Sequence, residues 1–163
     1  MNTTTVRPRN LYYDFLIAME AVILFGLWFL LLGEWRTALL AAVASFCALG
    51  WGLRLIFQRQ YRRGVQRMYQ KDYAAAAKAF EESWVYYKSK PWIDKYCFLT
   101  MFSSSSIPYE EMSMNNLALC LLHQGKDKKA LEIYKKLRTK NPDFPYVERS
   151  INEIEYHLAH KSK

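Results

Sequence analysis

The run LALCLLHQGKDKKALEIY, from Leu117 to Tyr134, decides how this chain folds. Its first six residues are apolar; Leu117 and Leu121 lie one helical turn apart with Ala118 beside them, so they share one stripe of a helix. Gln124-Gly125 interrupts the pattern, because glycine adopts the backbone angles that end a helix and reverse the chain. Apolar spacing resumes at Ala130 and continues through Tyr134 and Leu137. The run therefore reads as two antiparallel helices, with Ala130 small enough for them to pack closely. Asn141-Pro142 stops the second, since proline has no N–H to give and disfavours a helical residue before it.

Working outward, the segment 111–144 has the length and packing pattern of one repeat unit. Leu117, Ala118, Leu121, Ala130, Tyr134 and Leu137 occupy packing positions, Gly125 the turn and Pro142 the end. It resembles a tetratricopeptide repeat (TPR), the helix–turn–helix unit of about 34 residues. A looser copy spans about 57–88: Gly64 takes the small position, Lys71-Asp72-Tyr73 the turn, Ala76 the close-packing alanine and Phe80 the aromatic. This copy departs from the pattern in having Lys71 where the turn glycine is expected and no proline at its end. After Pro142, a helix over about 145–160 (Val147, Ile151, Ile154, Leu158) is expected to cap the stack, because a terminal repeat must present a polar outer face.

Between the two units lies an insertion of about 88–110. Pro91 ends or kinks the preceding helix, and Trp92, Ile93, Tyr96, Leu99 and Thr100 have helical spacing over 91–102. The serine run 103–106 with Pro108 reads as a loop that introduces a helix starting near Tyr109. The reach 92–122 is similar to small bacterial two-span TPR membrane proteins.

The TPR resemblance implies a curved stack whose first helices line a groove for an extended peptide or a partner helix. In this register the groove is faced by Tyr61, Val65, Met68 and Tyr69 from the first unit and by Asn115, Leu119, Leu122 and His123 from the second. The insertion could equally fill that groove. Some TPR domains clamp a peptide's C-terminal carboxylate with paired basic and Asn side chains. Asn116 stands where one such Asn is expected, but the matching lysines and arginines are not evident, so that activity is not carried over.

The first 57 residues differ in kind. The stretch 15–32 holds one charge, Glu20, and 37–53 holds none. About 20 residues of helix cross a hydrocarbon core of ~30 Å. With their flanks, 11–33 and 36–57 each read as a membrane span, joined by the tight turn Gly33-Glu34-Trp35-Arg36 into an antiparallel hairpin. The first apolar run is longer than a signal peptide's ~7–15 residues and lacks a small-x-small cleavage site, so it is expected to be retained. Ala44, Ala48 and Gly52, with a parallel set at Ala41 and Ser45, give the second span small-residue faces suited to close packing or dimerisation, with Gly26 at matching depth. Antiparallel pairing sets Asp14 opposite Arg54, and Arg54 is long enough to lean toward Glu20; a membrane acid usually has a partner.

The expected architecture is all-α: a transmembrane helical hairpin at 1–57, followed at 58–163 by a short helical-repeat domain of about two repeats and a capping helix. A mean hydropathy of −0.19 averages these two parts and describes neither. The net charge of +8 falls mostly on residues 58–163, which hold 19 of the 23 basic and 12 of the 15 acidic side chains. Arg7 and Arg9 before the first span, and Arg54, Arg59, Arg62, Arg63 and Arg67 at or after the end of the second, place both termini in the cytoplasm by the positive-inside rule. The similarity above implies a bacterial plasma membrane. Arg59, Arg62, Arg63 and Arg67 share one helical face and read as contacts to lipid headgroups rather than to nucleic acid, since no recognition helix or aromatic–basic interleaving accompanies them.

No nucleotide-binding glycine loop, nucleophile elbow or His-x-x-x-His pair is present, and the three cysteines (Cys47, Cys97, Cys120) are too scattered for a zinc cage. His123, His157 and His160 are dispersed. The expectation is a binding protein with no cofactor, no metal and no catalytic residue. It recruits a protein or peptide partner to the membrane face, or alternatively serves as an accessory subunit, or a homo-oligomer, assembled through the hairpin.

Overall fold

The computed structural model describes residues 10–101, 103, 105 and 107–161. Arg7, Arg9, Phe102, Ser104 and Ser106, which carry parts of the expectations above, lie outside the described residues. All regular elements among the described residues are helices: α1 (Leu11–Leu32), α2 (Trp35–Phe57), α3 (Arg59–Tyr69), α4 (Tyr73–Ser89), α5 (Pro91–Lys95), α6 (Cys97–Met101), α7 (Tyr109–His123), α8 (Asp127–Lys140) and α9 (Val147–Lys161). The described residues form two compact units, one from 10–59 with 95–101, 103 and 105, the other from 60–94 with 107–161.

In the first unit, α1 and α2 pair as an antiparallel hairpin and the short α6 packs on both. The Asn10 side chain accepts the Tyr12 N–H at 3.0 Å and so caps α1, leaving one fewer unpaired donor in its first turn. Gly33 ends α1 in the left-handed region, at φ 69°, and Glu34 leads straight into α2. Both helices are long and apolar enough to cross a membrane by length and composition. The close contact falls at Ala38 and Ala42, both buried, with Ala41 and Ser45 half-buried beside them. The Trp28 indole N–H donates to Ser45 Oγ at 3.1 Å, so one polar pair joins the two helices. Ala44 and Ala48 are exposed, and a Cβ placed on Gly26 or Gly52 would meet nothing within 4 Å. Of the two small-residue faces, therefore, the Ala41–Ser45 side makes the hairpin contact.

The insertion divides between the units. It is two short helices instead of one: α5 starts at Pro91, whose missing N–H costs nothing in a first turn, and α6 follows after Tyr96. Phe98 of α6 stacks on Tyr13 of α1 with centroids 5.7 Å apart. The buried Cys97 thiol donates to the Ser103 carbonyl at 3.4 Å, which ties α6 to the chain after it.

In the second unit, α7 packs between α4 and α8, and α9 covers α8. One buried cluster joins α7, α8 and α9: Met114 and Ala118, then Ala130, Tyr134 and Leu137, then Val147, Ile151 and Ile154, closed by Phe144. Burial pushes the Tyr134 hydroxyl of this cluster up to about 12, and the buried Cys120 thiol of α7 up to about 11. The helix pair α3–α4 has its own contact, where Phe80 is buried against Gly64 so closely that a Cβ on Gly64 would stand 2.7 Å from the ring.

Candidate functional site

The helices that sequence register assigns to a groove are α3 and α7, and their side chains fall into three classes. Tyr61 and Asn115 are buried, Val65, Met68, Leu119 and Leu122 are half-buried, and Tyr69 and His123 are exposed.

Tyr61 is expected on the groove wall, but its ring fills the space between the helices. It meets Phe80 and Tyr109 edge-on, with centroids at 5.7 and 5.2 Å, and its hydroxyl accepts from Asn116 Nδ2 at 3.1 Å. Asn115 donates to Asn116 Oδ1 at 3.4 Å. The two asparagines and Tyr61 thus satisfy one another inside the domain, as buried polar groups must. Asn116, the counterpart of a clamp asparagine, has its amide directed at Tyr61 rather than at a ligand. What α3 and α7 leave accessible is a smaller surface: Val65, Met68 and Tyr69 from one, Leu119, Leu122 and His123 from the other.

Two side chains from distant sequence fix this surface. His123, at the end of α7, stacks on Tyr73, at the start of α4, with centroids 4.2 Å apart and planes 9° from parallel. The next residue, Gln124, donates from Nε2 to the Tyr73 carbonyl at 2.8 Å. The turn between α7 and α8 is thereby pinned to the start of α4. At the other end of α7, the Asp94 carboxylate accepts the backbone N–H groups of Tyr109 and Glu110 at 2.8 and 3.0 Å. Pro108, in the capping position, has no side-chain donor or acceptor of its own, so Asp94 caps α7 from fifteen residues upstream. Burial pushes the Asp94 carboxyl above its ordinary range, and the two N–H groups pull it back down. Below the cap, Ser83 of α4 and Ser113 of α7 share a buried hydrogen bond of 2.8 Å, and Ser113 also donates to the Tyr109 carbonyl at 2.7 Å.

The arginines lie on α3, all four exposed. Arg63 donates to Gln60 Oε1 at 3.4 Å, and Arg67 pairs with Asp72 at 3.7 Å. An exposed pair at that distance contributes little.

In the hairpin unit, both carboxyl oxygens of Glu20 are shielded and have no hydrogen-bond partner. Arg54, expected to lean toward it, makes no hydrogen bond to that carboxyl. Asp14 is half-buried and Arg54 exposed. Among the described residues no group of three or more His, Cys, Asp or Glu is placed to hold a metal ion.

Asp94, which caps the helix that carries half of this surface, is the residue that sequence reasoning missed. Its only signal was an acidic side chain early in a short proline-led helix, with nothing in spacing to connect it to Tyr109.

Residues 115–143 match the family model described as tetratricopeptide repeat. The match begins inside α7, takes in all of α8 and ends in the turn before α9. No curated protein and no solved structure matches the chain. The chain thus carries a tetratricopeptide repeat in an all-helical fold, a module that generally binds proteins.

Proposed function

We propose that the protein is a membrane-anchored adaptor, whose hairpin at 1–57 holds it in a lipid bilayer while the helical domain at 58–163 binds a protein or peptide partner. The observation that carries this reading is the repeat at 115–143, folded as α7 and α8, in the same chain as two helices of lipid-spanning length. The partner surface is the accessible part of α3 and α7: Val65, Met68, Tyr69, Leu119, Leu122 and His123. Tyr69 anchors it, because it is 82% exposed and aromatic side chains contribute most where they become buried on binding. Arginines on both flanks of the hairpin put both chain ends in the cytoplasm, with Arg59, Arg62, Arg63 and Arg67 at the headgroups of a bacterial plasma membrane. The reading is of a binding protein, not an enzyme.

A second reading rests on Glu20, whose unpartnered carboxyl is costly inside a bilayer, and on the exposed small residues Ala44 and Ala48. In it the hairpin is the contact to a larger membrane complex. Crosslinking in native membranes separates the two. Tyr69→Ala with Leu119→Ala is expected to lower partner recovery at least tenfold, with Glu20→Ala near wild type. The reverse ranking favours the subunit reading, and a C-terminal reporter that is active only outside the cytoplasm overturns the orientation.

A further inference from the structure

We propose that α3 and α4 form a preformed cleft for the phosphate of an anionic lipid headgroup; this rests on the membrane-anchor reading and gives the anchor a specific lipid contact. The cleft has a volume of about 550 Å³ and opens to solvent. Arg63 and Arg67, on successive turns of α3, face it from one side, and Lys78 of α4 from the other. Glu82 is the one carboxylate in its lining, so the cleft carries three positive charges against one negative. Ala75 and Ala79 also line it, and their short side chains take up little of its volume. Gln60 and Gln66 of α3, and Gln70 in the turn just after it, add amide N–H donors to the lining.

This combination suits a phosphate ester. Guanidinium groups present paired N–H donors that match two phosphate oxygens, and amides satisfy the remaining acceptors. The Asp72 carboxylate near Arg67 is an exposed counter-ion at 3.7 Å that a better-placed anion displaces. An acidic peptide would instead call for cations spread along a length of surface, whereas these converge on one cavity.

The source of the phosphate follows from the chain. Gln60 stands three residues after Phe57, the last residue of α2, which is apolar and long enough to span a bilayer. Arg59 and Arg62 lie on the same helix but do not line the cleft. They supply an internal control that separates a built site from general attraction of arginines to an anionic surface.

The test uses the full chain in lipid nanodiscs of phosphatidylcholine alone or with about a third phosphatidylglycerol, and follows amine-reactive labelling of Lys78 against the exposed Lys128 of α8. The expected result is labelling of Lys78 slowed about fivefold in the anionic discs, with Lys128 unchanged. Arg63→Gln with Arg67→Gln is expected to restore the neutral-disc rate, and Arg59→Gln with Arg62→Gln, which weakens the general headgroup attraction outside the cleft, to keep more than half of the protection. Equal Lys78 rates in the two discs overturn the proposal, as does equal loss of protection in the Arg59/Arg62 pair. Protection in neutral discs on adding inorganic phosphate or polyglutamate assigns the cleft to a soluble anion or an acidic peptide, and also overturns it. A chain that elutes free of lipid is a different failure, that of the anchor reading itself.

Discussion

In the sequence register that makes α3–α4 the expected first repeat and α7–α8 the second, Phe80 corresponds to Tyr134, Gly64 to Ala118, Lys71 to Gly125 and Ala76 to Ala130, each pair separated by 54 residues. Ala76 and Ala130 are both fully buried, so the close-packing position is kept in each copy. The other pairs differ. The first repeat lets an aromatic ring press against a residue with no side chain, while the second has an alanine and a tyrosine in one larger cluster with α9. The first turn uses a lysine where the second uses glycine, and both adopt positive φ, 60° for Lys71 and 70° for Gly125. A repeat's backbone path is therefore set by a few distances and angles, and residue identity is free only where those permit.

The difference at the small position predicts the largest effect. Gly64→Leu forces side-chain atoms into Phe80, which is itself fully buried, and is expected to lower stability by about 3 kcal/mol. Ala118→Gly, at the equivalent place, creates no overlap and is expected to cost about 1 kcal/mol through helix propensity. Thermal unfolding of the full chain followed by circular dichroism checks the ranking. Equal losses would mean that the first repeat has room to spread, and that the tight Gly64–Phe80 approach does not hold it.

The next effect concerns how the helices are capped. In the first repeat Asp72 caps α4 from its own sequence, its Oδ1 accepting the Ala75 N–H at 3.0 Å. In the second, α7 depends on Asp94 from outside the repeat. Asp94→Ala strands two partly buried N–H groups and is expected to cost about 2 kcal/mol. The sign with pH follows from the upward shift: a folded-state carboxyl that holds its proton more tightly contributes stability below the ordinary value of 3.8, and this is lost as pH rises through the folded-state value. Asp94→Asn keeps one acceptor and does not titrate, so it is expected to remove that loss. Unfolding midpoints across pH 4–6 for the two chains, differing by a constant amount, would assign the slope to other groups.

Much of the second repeat was legible in order along the chain. Leu117, Gly125, Ala130 and Pro142 lie within a span short enough for local spacing to define both helices, and the apolar runs of α1 and α2 declare themselves by composition. The candidate groove was legible only as a register. Spacing puts Tyr61 and Asn115 on the correct helix, yet it cannot tell that Tyr61 turns inward, because that depends on Phe80 of α4 and on Tyr109 and Asn116 of α7. Asp94 was hidden for the same reason, since a cap supplied from another helix leaves no periodic mark. Likewise Lys78, on the opposite side of α4 from Ala76 and Phe80, reads alone as an ordinary solvated charge, and gains meaning only beside Arg63 and Arg67.

The turns provide the smallest effect and the sharpest comparison, because the two changes should have opposite signs. A side chain in the left-handed region brings Cβ against the following carbonyl and costs about 1 kcal/mol, which Gly125 avoids and Lys71 does not. Lys71→Gly therefore removes strain from the first turn, although the unfolded chain gains freedom, and a net stabilisation of about 0.5 kcal/mol is expected. Gly125→Ala does the reverse. Its Cβ meets nothing within 4 Å, so no packing clash confuses the reading, and a loss of about 1 kcal/mol measures the backbone term alone. The Lys71 N–H donates to the Met68 carbonyl at 3.0 Å and the Gly125 N–H to the Leu122 carbonyl at 2.9 Å, so the same hydrogen bond closes both turns. If Lys71→Gly destabilises the chain, the lysine side chain must contribute something beyond the turn that outweighs the strain of its backbone, and the two turns would then be held by different forces behind the same hydrogen bond.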